Sequence, residues 1–149
     1  MGERRKSREI ALQMLFSVDL GLKSKENKDT PAKICLDLEK NFLDKLDEEP
    51  EVKSFALELF KGTVEKLAEL DEAIKNRIKN WEFDRLANVD KNILRFAAYE
   101  LLYRADIPVA VTINEAIEIA KSFSGNEAGK FINGILDNIK KDIKIKKKE

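Results

Sequence analysis

Apolar residues recur along this chain at spacings of three and four, the period of a helix that buries one face. From Leu86 to Leu102 (LANVDKNILRFAAYELL) they go nearly all the way round a helical wheel. Val89, Ile93, Phe96 and Ala97 lie on one side. Leu94, Ala98, Leu101 and Leu102 cover the other, and Tyr99 falls in the gap. Only Lys91, Asn92 and Arg95 share a polar sector. A helix this apolar must be enclosed by its neighbours, so the pattern predicts the central post of a bundle. Asn88 or Asp90 can cap its start by accepting backbone N–H bonds. Glu100 falls inside the apolar sector, where a carboxylate needs a basic or N–H partner; a structural ion pair is the expectation.

The remaining segments read as shorter amphipathic helices. Residues 3–21 place Ile10, Ala11, Met14, Leu15 and Val18 on a core face. Residues 22–29 are polar and loop-like. Thr30-Pro31 opens the next helix with a capping hydroxyl and a proline at the first position, and Ile34, Cys35, Leu38, Phe42 and Leu46 form its stripe. Asp47 to Pro50 breaks it. A third helix is predicted from Pro50 to about Lys79, with Val52, Phe55, Ala56, Leu59, Phe60, Thr63, Leu67, Leu70, Ile74 and Ile78 inward. Gly62 inside it costs about 1 kcal/mol against Ala and points to close approach of a neighbour. Trp81 to Arg85 reads as a linker or helical turn, with Trp81 packing across the junction of two halves. After Pro108, Thr112-Ile113-Asn114-Glu115 reads as a capping box, followed by Ile113, Ala116, Ile117, Ala120 and Phe123 as a stripe. Ser124-Gly125-Asn126-Glu127 repeats that signature and starts the last helix, with Ala128, Ile132, Ile135, Leu136 and Ile139 inward. Gly129 and Gly134 again suggest close approach. No alternating strand pattern occurs. The predicted fold is all-α: a single bundle of about seven helices in two subdomains within one domain, 1–149. Its N-terminal half reaches about residue 80, its C-terminal half spans about 81–143, and a basic tail covers 140–149.

Composition then narrows the chemistry. The chain carries 28 Lys and Arg against 28 Asp and Glu, so affinity for a polyanion must come from local patches. It has no His and one Cys, which removes Ser–His and Cys–His nucleophile pairs, His metal sites and thiolate clusters. Lys61-Gly62-Thr63 lacks the upstream glycine loop of a phosphate cradle, and no dinucleotide fingerprint occurs. No cofactor is implied. Cys35 reads as a small core residue in a reducing compartment, the cytoplasm. No apolar run is long enough to span a membrane. A binding role is favoured over catalysis.

Two places could meet a nucleic acid. On the first helix, Arg5, Arg8, Leu12 and Phe16 fall together opposite the core stripe, with Arg4 nearby. On the last helix, Glu127, Phe131, Gly134 and Asn138 form an edge stripe beside Lys130. Cations next to a flat ring suit single-stranded RNA, in which the charge meets phosphate and the ring stacks on a base. The competing reading is that these aromatics pack under other parts of the same protein.

RRKSREIALQMLF, NWEFDRLANVDKNILRFAAYELL, DIPVAVTINEAIEIAKSF and KFINGILD, in this order, strongly resemble the NusB family of bacterial transcription antitermination factors. The resemblance covers nearly the whole chain and is strongest from Trp81 to Asp137. It implies an all-helical protein without catalytic activity. It also implies binding to single-stranded boxA RNA of ribosomal RNA leaders together with NusE, a small-subunit ribosomal protein. NusA, NusG and RNA polymerase complete the implied elongation complex. Carried over residue by residue, the RNA contacts are Arg4, Arg5, Lys6, Arg8, Phe16, Glu127, Lys130 and Phe131, and the NusE contact is Asp90. Many relatives have Tyr where this chain has Phe16. The family includes monomers and homodimers. A similar domain precedes the catalytic domain of certain ribosomal RNA methyltransferases, an alternative that requires a nucleotide-binding domain and a catalytic Cys. A helical scaffold that binds only protein is the third reading.

Overall fold

The computed structural model describes residues 2–23, 29–78 and 80–147. The side chains of Trp81 and of the basic tail from Lys144 onward lie outside the described part, as does residue 79, so the packing expected of Trp81 and the character expected of the tail fall there too. Among the described residues the chain is helical and contains no strand. It groups into two units, Met1–Lys61 and Gly62–Glu149.

The first unit holds α1 (Gly2–Lys23), α2 (Pro31–Leu38) and most of α3 (Pro50–Glu65). The expected core face of α1 is buried, and so are Ser7, Arg8 and Leu12. Ser7 Oγ donates to the Val52 carbonyl at 2.8 Å, tying α1 to the start of α3. On α3, Val52, Phe55, Ala56, Leu59 and Phe60 are buried as the spacing predicts. Thr30 caps α2, its hydroxyl accepting from the Lys33 N–H at 3.2 Å, with Pro31 at the first turn.

Beyond Leu38 the helix loosens into a π turn, Glu39–Leu43, closed by the Asp44 N–H on the Glu39 carbonyl at 2.9 Å. One extra residue in a turn rotates all that follows. The predicted stripe slips there, with Leu43 buried and Phe42 and Leu46 half-buried; before the turn Ile34 is buried and Cys35 and Leu38 are half-buried.

The second unit holds the last turn of α3 with α4 (Leu67–Lys75), α5 (Asn80–Arg85), α6 (Asn88–Tyr103), α7 (Val109–Ser124) and α8 (Asn126–Lys147). Within it α6 packs on α4, α7 and α8, which makes it the post that its apolar wheel predicts. In its supposed polar sector Asn92 and Arg95 are also buried, and Lys91 is half-buried. Arg95, 7% exposed, donates from Nε and Nη2 to the Asp71 carboxylate at 2.7 and 2.9 Å. Its Nη1 donates to Asn92 Oδ1 at 3.0 Å. α4 covers this face, and the polar groups satisfy one another there.

The single helix expected from Pro50 to about Lys79 is two. Lys66 sits at φ −102°, ψ 15°, yet its N–H bonds Gly62 O at 3.1 Å and its carbonyl accepts from Leu70 at 2.9 Å. The chain bends without losing its ladder, and the bend brings Leu70, Asp71 and Ile74 to α6. Gly62 is a close approach, since a β-carbon there would fall on the Tyr99 ring.

Three predicted helix starts shift. α6 begins after Ala87 with no side-chain cap hydrogen bond at that residue, so neither Asn88 nor Asp90 is its N-cap. α7 begins at Val109, behind Pro108, so Thr112 is already inside the helix. Its hydroxyl donates instead to Glu100 Oε1 at 2.8 Å. Glu100, buried within the apolar sector, thus has the Thr112 hydroxyl among its partners. Ser124 ends α7, and the turn is made by Gly125 at φ 95°, ψ 177°, a conformation essentially confined to glycine. The buried stripe of α7 follows Thr112, Ile113, Ala116, Ile119 and Ala120, and this leaves Phe123 at the turn, 49% exposed. On α8, Ile132, Ile135, Leu136 and Ile139 are buried as expected, and Ala128 is half-buried. Gly129 is packed against α7, but Gly134 faces open space.

Candidate nucleic-acid interface

The first group of candidate residues lies on α1. Arg4, Arg5 and Lys6 are exposed there, within a surface of mixed charge. The Arg4 guanidinium lies 4.3 Å above the Phe55 ring, beside a groove of about 260 Å³ that Glu3, Glu51 and Glu58 also line. Lys6 Nζ pairs with Glu48 at 3.0 Å. These carboxylates reduce the net field that a polyanion would meet, and an exposed pair of this kind is worth little by itself.

Arg8 and Leu12 correct the outward face predicted for α1: they are 1% and 3% exposed. The Arg8 guanidinium lies 5.4 Å from the Phe55 ring, on which Arg4 also rests. Buried in this way, Arg8 holds the ring that supports Arg4 and does not itself stand on the surface. Phe16 is half-buried. The stripe at 8, 12 and 16 carried a polar-aromatic signature, but α1 buries more than one face, and single-face periodicity does not reveal that.

The second group lies in the second unit. Phe131 is 37% exposed, and Glu127 and Lys130 are exposed with it. They share the first turns of α8, as the edge stripe predicts. Asp90, in the first turn of α6, is half-buried, and its Oδ1 accepts from Ser124 Oγ at 2.8 Å. It therefore ties the start of α6 to the turn before α8. No periodicity could have found Ser124, because its partner is 34 residues away. Phe83 was also missed: buried on α5, its ring has Lys75 at 4.9 Å, Lys91 at 4.8 Å and the Arg95 guanidinium at 5.8 Å.

A larger cavity, about 500 Å³, opens between α4, α6 and α8 over Leu101, Ile139 and Ile143, away from these residues. Across it the Tyr103 hydroxyl donates to Glu69, and Arg77 pairs with Asp142. Among the described residues no group of His, Cys, Asp and Glu is arranged to hold a metal ion, and no helix is long and apolar enough to cross a membrane.

The described residues thus define a small all-α protein that exposes cations and aromatics on its helices. The model of the NusB family matches residues 5–141. The transcription antitermination protein NusB of Thermodesulfovibrio yellowstonii is 44% identical over 147 residues, 94% of this chain and 93% of that protein. The chain belongs to the NusB family of transcription antitermination proteins, which are not enzymes. Among solved structures, T. maritima NusB matches with a TM-score of 0.75 at 38% identity, over 93% of this chain and 90% of that one. A crystal structure of antitermination factors NusB and NusE in complex with dsRNA contains a chain that matches with a TM-score of 0.74 at 25% identity, over 95% of this chain and 98% of that one.

Proposed function

We propose that this chain binds the boxA element of ribosomal RNA leaders together with NusE. In the cytoplasm, with NusA, NusG and RNA polymerase, it then supports an elongation complex that resists termination. The observation that carries this reading is the match, over 95% of the chain, to a chain in the structure of NusB and NusE in complex with dsRNA. The exposed positions of Arg4, Arg5, Lys6, Glu127, Lys130 and Phe131 support it. In this reading Arg4, Arg5, Lys6 and Lys130 meet phosphates, Phe131 and the open edge of Phe16 stack on bases, and Glu127 accepts from a base edge or ribose hydroxyl. Arg8 acts by positioning Phe55 and Arg4. Asp90 meets a cationic group of NusE. Two weak RNA surfaces joined by NusE bind more tightly than either alone.

The test is fluorescence anisotropy with a labelled boxA-like single strand, a scrambled strand and a duplex, with and without NusE, across a salt series. Preference for boxA that NusE tightens is the expected outcome. Equal binding to all three RNAs, lost steeply with salt, reduces the surface to a nonspecific basic patch. Phe131→Asp should weaken boxA binding with an unchanged melting temperature; wild-type affinity in that variant removes Phe131 from the site. Asp90→Asn keeps an acceptor for Ser124 while removing the charge, so it should lower NusE affinity with the fold intact. An unchanged NusE titration assigns Asp90 to the turn alone.

A further inference from the structure

The α7–α8 pair carries a groove of about 410 Å³, lined by Ile117 and Lys121 of α7 and by Asn126, Gly129, Lys130 and Asn133 of α8. The α8 residues fall at i, i+3, i+4 and i+7 and the α7 residues at i and i+4, so each helix contributes one face. The volume is in the range of small-ligand pockets, about 300–1,000 Å³.

The floor depends on Gly129. A β-carbon there would stand 3.1 Å from Lys121 Cγ and 3.4 Å from Ile117 Cγ2. Its absence lets the alkyl stem of Lys121 lie against the α8 backbone, which limits where the ammonium can go. That ammonium is 3.7 Å from Glu118 in an exposed i,i+3 pair, a weak hold that a phosphate can displace. Among the described residues Asn126, Lys130 and Asn133 have no intramolecular side-chain partner. The end of the groove is held by two independent devices, the glycine-only turn at Gly125 and the Ser124–Asp90 hydrogen bond. Lys130 and the two carboxamides thus stand on rigid helices without internal partners, beside an apolar floor and a Lys121 held only by its exposed pair with Glu118.

We propose that this groove is a nucleotide subsite that takes one nucleotide of a single-stranded RNA. Lys121 and Lys130 meet its phosphate, and the carboxamides of Asn126 and Asn133 meet the base edge. A carboxamide offers donors and an acceptor at fixed spacing, the complement of a base edge, and an unstacked base exposes that edge. The assignment rests on the RNA reading above and adds Lys121, Asn126 and Asn133 to it.

The test uses the full chain and the same anisotropy assay. Lys121→Gln should weaken binding and reduce the log–log salt slope by about 0.7, the value of one phosphate contact on a single strand. Asn133→Ala should weaken the preferred strand by about ten-fold while leaving the salt slope and the scrambled strand unchanged. Gly129→Ala should weaken binding less than Lys121→Gln and leave the salt slope unchanged, because the lysine stem shifts by only a few tenths of an ångström and keeps its charge. Lys121 and Asn133 are exposed, so their variants keep the wild-type melting temperature and remain informative even where Gly129→Ala does not fold. If wild type prefers boxA and Phe131→Asp weakens it, but Lys121→Gln and Asn133→Ala leave affinity, slope and discrimination unchanged, the groove is not a subsite and the RNA reading stands. If wild type binds no RNA, both fall together. If free nucleoside monophosphate binds as tightly as the oligonucleotide, the groove serves free nucleotides, and its assignment to an RNA strand is overturned.

Discussion

Replacing Asp71 with Ala would leave Arg95 buried without its carboxylate. The Arg95 side chain is 8% exposed and that of Asp71 is 18%. Two charge-assisted bonds, at 2.7 and 2.9 Å, vanish together, while Asn92 Oδ1 remains an acceptor for Nη1. Removing one partner of a buried pair costs about 3–5 kcal/mol, because the remaining charge has lost its solvent and its counterion. With Asn92 retained and Asp71 at the edge of the core, the low end, about 3 kcal/mol, applies. For a chain of this size each kcal/mol moves the melting temperature by about 2–4 °C, which predicts a loss of about 6–12 °C. The measurement is thermal unfolding followed by circular dichroism, with a urea titration in which the midpoint falls at constant slope. The decisive control is Asp71→Leu with Arg95→Met. Apolar groups of similar volume remove the desolvation cost as well as the attraction, so the double variant should regain most of the loss. A single variant within about 1 kcal/mol of wild type, or a double variant no better than the single, would refute the argument that this pair is held in balance by burial.

Gly62→Val should destabilise by at least about 1–3 kcal/mol, because its β-carbon falls on the Tyr99 ring; Tyr99→Ala in the same chain should recover part of it, and urea midpoints read both. Thr112→Val removes a hydroxyl donor from the buried Glu100 and should cost about 1–3 kcal/mol by the same titration, whereas Thr112→Ser should cost little. Burial pushes the Cys35 thiol above the ordinary cysteine value, so its alkylation by iodoacetamide should rise with pH later in the folded protein than in urea. By linkage, the stability belonging to that thiol is fully present below the ordinary cysteine pKa and is lost as pH rises through the raised folded value. Cys35→Ala should therefore lose less stability than wild type on the alkaline side, and equal alkaline losses would count against the burial argument.

The linear pattern was enough to read the all-helical class, the core faces of α1, α3 and α8, and the central place of α6 in its unit, because an amphipathic period records which side of a helix meets water. It also carried the family, through motifs that keep their order from Arg4 to Asp137. What it could not carry is any feature that depends on a second helix. Arg95 and Asn92 look like a solvated sector on their own wheel and become a buried network only when Asp71 arrives on α4. Arg8 looks like an outward cation until α1 is covered on a second side. Thr112 looks like a cap until Pro108 starts the helix one turn earlier and Glu100 claims its hydroxyl. The π turn after Leu38 moves the stripe by one residue, a shift that composition does not announce. The candidate RNA residues divide in the same way. Phe131 and Lys130 were legible because a rim stripe on a single helix is a local property, whereas the groove over Gly129 exists only because α7 and α8 pack side by side. Local periodicity is written in the chain, but pairing between distant helices is set by their packing, and that is where this protein places its buried charges and its candidate nucleotide groove.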